Sequence, residues 1–106
     1  VIEVIRKYQP DIVLANAFDD RHPDHGRRAK LVADAVFLSG LRKIETLADA
    51  EIQPIWKPAS VFHSIHDRFI ETSFVFDITA HMDKNIEAVL ADSTQCIDTE
   101  LDEPQT

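Results

Sequence analysis

The chain has 106 residues and a formal net charge of −8. That length allows one domain at most. The acidic balance disfavours nucleic acid or an anionic membrane as partner, because phosphate binding needs a basic face. No apolar run approaches the roughly 20 residues that span a bilayer. A single cysteine, Cys96, excludes an internal disulfide framework and fits a reducing compartment. With no secretory pattern visible, a cytoplasmic setting is expected.

Val1, Ile2, Val4 and Ile5 recur at helical spacing, and Pro10 closes the segment, because the residue before a proline avoids the helical region. A helix already under way at Val1 and an unstructured close at Pro104 make the chain read as a piece of a longer protein. The run from Asp11 to Ala15 is short and rich in β-branched residues, which predicts a buried strand of the parallel kind. Residues 16–21 are polar and break the strand. Pro23 suits the first helical position, and Ala29 to Leu38 is apolar nearly all round, which predicts a helix buried on more than one side. Gly40 stands where a left-handed cap is expected.

Residues 45–58 show no period and read as a loop, with Trp56 as its anchor in the core. Val61 to Ile65 and Phe74 to Ile78 are strand candidates. Thr79 is the expected cap of a helix carrying Met82, Ile86, Val89 and Leu90 on one face. From Ser93 onward the chain is acidic and aperiodic, and an irregular tail is expected over 93–106. The element order predicts an α/β fold with a right-handed crossover around residues 12 to 65.

Ligands of open α/β sheets bind beyond the carboxyl ends of the strands. The segment Asp19-Asp20-Arg21-His22-Pro23-Asp24-His25 lies at that place. The start of a helix favours an ionised Asp24 and disfavours a charged imidazolium at His25, and neutral imidazole is the form that binds metal. A bare H-x-x-H is equally compatible with Asp24 decorating a helix start while both histidines face solvent. Arg21 directly precedes the motif. Its guanidinium either grips carboxylates of a substrate or pairs with Asp19 or Asp20 to hold the loop.

The motif His22-Pro23-Asp24-His25, with Gly26 to Leu31 and Ala35 to Ile44 after it, resembles the PIG-L/LmbE-like zinc deacetylases. Within them it is most similar to bacillithiol-biosynthesis enzymes acting on N-acetylglucosaminyl-malate. The likeness continues through Lys57 to His63, Asp67 to Glu71 and Phe74 to Thr79, and so covers nearly the whole chain. It implies a Rossmann-like three-layer α/β/α sandwich with a mainly parallel sheet, of which residues 1–106 would be the middle-to-late part. It implies Zn²⁺, with His25 as ligand, His22 as the acid that stabilises the tetrahedral intermediate, and Asp24 orienting His22. The substrate it implies is a small sugar conjugate, and a homo-oligomer is compatible with it.

Two departures stand out. The family's remaining zinc ligands and general base come from an AHPDD-type motif that these residues lack, so the chain alone is expected to be inactive and to bind zinc weakly. Phe18 stands where relatives often have proline, and Asp92 to Cys96 departs from a family Ser-Gln pair followed by an aromatic.

Elsewhere, His63 and His66 repeat the H-x-x-H spacing, but on a strand those positions point to opposite faces. A partly buried polar contact is expected for His63, no role for His66, and a surface position for His81. Cys96 reads as a small apolar side chain. Arg27, Arg28 and Lys30 read as a local basic spot or as a solvated helix start. An HD-type phosphohydrolase would need adjacent His-Asp pairs on an all-helical scaffold, and here the motif follows a strand. The alternative to a zinc amidase is a non-catalytic acidic α/β binding domain.

Overall fold

A computed structural model describes residues 1–92, and the expectations for the acidic tail and for Cys96 lie outside the described residues. The chain divides into two compact units, one spanning Val1–Glu71 and a second beginning at Thr72. The first is mixed α/β. Helix α1 (Ile2–Tyr8) leads to strand β1 (Ile12–Asn16), helix α2 (Pro23–Ser39), the short strands β2 (Leu47–Ala48) and β3 (Glu51–Ile52), and strand β4 (Ser60–Ser64). Strands β1 and β4 pair in parallel, with Ile12 opposite Ser60 and Asn16 opposite Ser64. Parallel neighbours need a crossover, and α2 supplies it.

Ile5, Ala35 and Val36 form the core, joined by Ile2, Val13, Val32, Trp56 and Val61. Trp56 anchors its loop as expected, its indole N–H donating to the Pro10 carbonyl at 2.8 Å. The expectation that α2 is buried on more than one side fails. Ala29, Ala35, Val36 and Ser39 are buried, but Leu31 and Phe37 are more than half exposed.

Gly40 is not a left-handed cap either, since its φ is −86°. Its small size is used instead: a Cβ there would stand 3.1 Å from Cβ of Lys57. The left-handed cap falls at Gln9, which closes α1 with φ 49°. The carboxyl end of α2 is closed by partners from elsewhere. The Ser39 carbonyl accepts from the Trp56 amide at 3.0 Å and from Nε of Arg6 at 3.1 Å.

Arg6 is 2% exposed, and its guanidinium also donates to the Leu41 carbonyl at 3.0 Å and to Oγ1 of Thr46 at 2.8 Å. The Thr46 hydroxyl in turn donates to Oε1 of Gln53, whose Nε2 donates to the Glu3 carbonyl. This network ties the unexpected β2–β3 hairpin to α1. Its two turn residues, Asp49 and Ala50, both have positive φ, the conformation of a two-residue type I′ turn.

In the second unit Phe74 to Ile78 forms no strand. Apolar, β-branched residues show that a segment could enter a sheet, but a strand also needs a ladder to join. A 3-10 turn (Thr79–His81) leads into α3 (Met82–Leu90). Thr79 is not the cap of α3: it opens the 3-10 turn, and Oδ1 of Asp77 accepts from both its amide and its hydroxyl. Those two bonds, the hydroxyl's first, hold the Asp77 carboxyl below the ordinary value. His81 is exposed, as expected. None of the helices among the described residues is long and apolar enough to cross a membrane.

Candidate functional site

The carboxyl ends of β1 and β4 lie side by side, so the loops that follow them meet at one edge of the sheet. Two ion pairs join those loops. Nε of Arg21 is 3.3 Å from Oδ1 of Asp67, and Nη1 of Arg68 is 2.7 Å from Oδ1 of Asp19. All four side chains are at least 40% exposed, so each pair contributes at most about 1 kcal/mol and acts mainly to set position. Arg21 thus finds its partner across the site, not in Asp19 or Asp20.

Pro23 occupies the first position of α2, as its fixed φ and missing N–H dictate, and His22 is the residue before it, in extended conformation. One turn brings His25 back beside His22. Their imidazole rings stack with centroids 4.8 Å apart and planes 20° apart. The sequence therefore places both predicted imidazoles together at the carboxyl end of β1.

The carboxylate that reaches this pair is Asp20 and not Asp24, at the His25 imidazole and the His22 amide. Asp24 is exposed and stands 3.5 Å from Nη1 of Arg27, one turn along the same helix. Its expected contact with His22 is absent: the side chain turns outward along α2 toward its i+3 neighbour, Arg27. Asp20, by contrast, has a side chain only 2% exposed. Its Oδ1 accepts the His22 amide at 2.9 Å and lies 3.1 Å from Nδ1 of His25. The bond from the His22 amide, then the charge and hydrogen bond of His25 and the charge of His66, hold the Asp20 carboxyl below its ordinary value. Sequence reasoning missed it; the available signal was an Asp two residues before the residue preceding Pro23, the spacing of an Asx turn.

Two buried polar atoms here have no hydrogen-bond partner among the described residues, Oδ2 of Asp20 and Nδ1 of His22. Buried polar atoms are almost always satisfied, so a pair of orphans beside two imidazoles marks a place built for a further group.

His63 makes the expected polar contact: its Nδ1 is 2.7 Å from the Asn16 carbonyl, and its ring lies against Phe18 at 4.3 Å. Lys30 pairs with Asp34 at 2.8 Å on the exposed face of α2, and together with Arg27 it reads as a solvated helix start. Among the described residues no three His, Cys, Asp or Glu side chains converge to hold a metal ion.

Gly26 fixes the distance between α2 and the loop. A Cβ there would lie 2.8 Å from the backbone oxygen of Phe18, closer than real contacts allow. Alanine normally stabilises a helix over glycine by about 1 kcal/mol. Here Gly26→Ala is expected to destabilise instead, by roughly 1–3 kcal/mol, because the backbone itself must shift. Gly40→Ala meets only the Lys57 side chain and should cost less. Urea unfolding of the two variants checks the order, and equal midpoints would contradict the close approach.

No family model matches the chain. Among solved structures, it is similar to the conserved protein TT1542 from Thermus thermophilus, with 33% identity and a TM-score of 0.74. The match covers 85% of this chain and 39% of the Thermus protein. The two share their fold over that region. This chain thus spans well under half of the length of the protein it matches.

Proposed function

We propose that this chain carries one side of a zinc amidase centre of the PIG-L/LmbE-like kind. The reaction is hydrolysis of the N-acetyl group of an N-acetylglucosamine conjugate, N-acetylglucosaminyl-malate in bacillithiol biosynthesis, in the cytoplasm. The observation that carries the reading is the stacked His22–His25 pair over a buried carboxylate, at the carboxyl ends of two parallel strands, with two polar atoms left unsatisfied. The donor set fits zinc in kind: His25 would hold the ion through an imidazole nitrogen. When bound, Zn²⁺ supplies Lewis acidity and a water whose pKa falls to about 7. Three protein ligands are usual at such a centre. The other two, with the general base, are assigned to an AHPDD-type motif that these 106 residues lack.

His22 is the group this chain contributes to the proton bookkeeping. An amide nitrogen leaves only once protonated, and an imidazolium beside the reacting carbon can deliver that proton after stabilising the oxyanion. The three-layer sandwich belongs to the same proposal. A parallel sheet is nearly always covered on both faces, and Ile12 at 58% and Leu14 at 72% exposure are apolar strand residues suited to a further layer.

Acetate release from N-acetylglucosaminyl-malate by the full-length protein tests the reading. It should disappear on chelation and return with Zn²⁺. Tight binding of the conjugate without acetate release would favour the non-catalytic acidic binding domain.

Arg21 is assigned to the malate carboxylates, although its ion pair with Asp67 favours a loop-bracing role as the competing explanation. Kinetics separate them. If Arg21 grips malate, Arg21→Lys should lower kcat/KM for the malate conjugate far more than for free N-acetylglucosamine, because lysine cannot reproduce a bidentate fork. Equal losses on both substrates would leave Arg21 as a brace alone.

A further inference from the structure

We infer that Asp20 is a positioning residue, which fixes His25 as its Nδ1–H tautomer and so turns Nε2 outward as the ligating atom; this rests on the zinc reading above. An ionised carboxylate only accepts hydrogen bonds. Oδ1 of Asp20 lies 3.1 Å from Nδ1 of His25, so the proton of that contact belongs to the imidazole. A neutral ring carries one proton, and with Nδ1 holding it the lone pair is left on Nε2. The carboxylate cannot swing away to relax the arrangement. The same Oδ1 is held by the His22 amide at 2.9 Å, and the side chain is 2% exposed, whereas the His25 side chain is 33% exposed. A carboxylate behind a ligating histidine, fixing its tautomer and orientation, is the usual supporting shell of a zinc site.

The plain competitor is that Asp20 merely closes an Asx turn ahead of α2. Asparagine closes the same turn with the same oxygen, but that oxygen is neutral and a weaker acceptor for the His25 Nδ1–H, so Asp20→Asn keeps the turn while relaxing the tautomer. Nitrogen-15 correlation spectra of the metal-free full-length protein, above the pH at which imidazoles titrate, should give His25 protonated on Nδ1. In Asp20→Asn the ring should move toward the Nε2–H form, and Zn²⁺ affinity measured by competition with a chromophoric chelator should fall about 10–100-fold. Circular dichroism and the thermal midpoint should change little.

An Nε2–H ring in the wild-type protein overturns the assignment by itself, whether or not the variant folds. So does an Asp20→Asn variant that keeps both the tautomer and the Zn²⁺ affinity. A wild-type protein that shows the Nδ1–H ring, and loses it in Asp20→Asn, yet binds no Zn²⁺, supports the positioning by Asp20 and removes the zinc reading instead.

Discussion

Arg6→Ala should cost about 3 kcal/mol of stability, on the order of what one to two charge-assisted hydrogen bonds contribute. Three bonds are at stake, to the carbonyls of Ser39 and Leu41 and to the hydroxyl of Thr46. The Ser39 carbonyl ends α2, where the helix leaves acceptors unpaired and the macrodipole favours a cation, and the Leu41 carbonyl follows two residues on. For a unit of this size that loss lowers Tm by roughly 12 °C or more, and it removes a large part of a typical total stability of about 5–15 kcal/mol. Arg6→Lys retains the charge but offers a single donor centre in place of a planar fork, and should fall between the two. Thermal and urea unfolding followed by circular dichroism checks the series. An alanine variant within about 0.5 kcal/mol of wild type, the range of an ordinary surface substitution, would show that the network carries little.

The second large effect concerns rate. In the full-length protein, His22→Ala should lower kcat on N-acetylglucosaminyl-malate by about 10²–10⁴-fold, the usual worth of a positioned acid. The residual activity follows from the metal's own Lewis acidity, which this substitution leaves in place. His25→Ala should go further and abolish turnover, because it removes a ligand and not a proton donor. The stacked rings make the two variants close structural controls for one another, since each removes one imidazole from the same pair. Steady-state kinetics with both variants, each assayed with added Zn²⁺, decides the assignment.

The legible and illegible parts of this molecule divide along physical lines. Strand β1, helix α2 and strand β4 could be read because each carries a strong local signal: β-branched runs, and Pro23 at the first helical position. Their order then dictates a parallel crossover, and the loop with His22 and His25 follows at the strand's carboxyl end. The β2–β3 hairpin was hidden because Asp49-Ala50 lacks the glycine that usually announces such a turn, although both residues take positive φ. Arg6 reads as one more solvated basic residue in the last turn of α1. Nothing local reveals that the end of α2 and Thr46, more than 30 residues away, wrap around it.

The same limit applies within the site. Asp19, Asp20 and Asp24 are chemically identical and lie within six residues. Only Asp19 takes a partner distant in sequence, Arg68; Asp24 pairs with Arg27 one turn along its own helix, and Asp20 is held by the His22 amide two residues on and by His25. At Phe74 to Ile78 the error ran the other way, since a good strand composition found no ladder among the described residues.

Every role proposed for this loop turns on His25 being the zinc ligand and His22 the acid beside it. The decisive quantity is zinc content per protein, measured by atomic emission on the full-length wild-type protein and on His25→Ala and His22→Ala purified in parallel. Stoichiometric zinc is expected in the wild type and in His22→Ala, with a nearly empty site in His25→Ala. Zinc retained by His25→Ala and lost from His22→Ala would reverse the two roles.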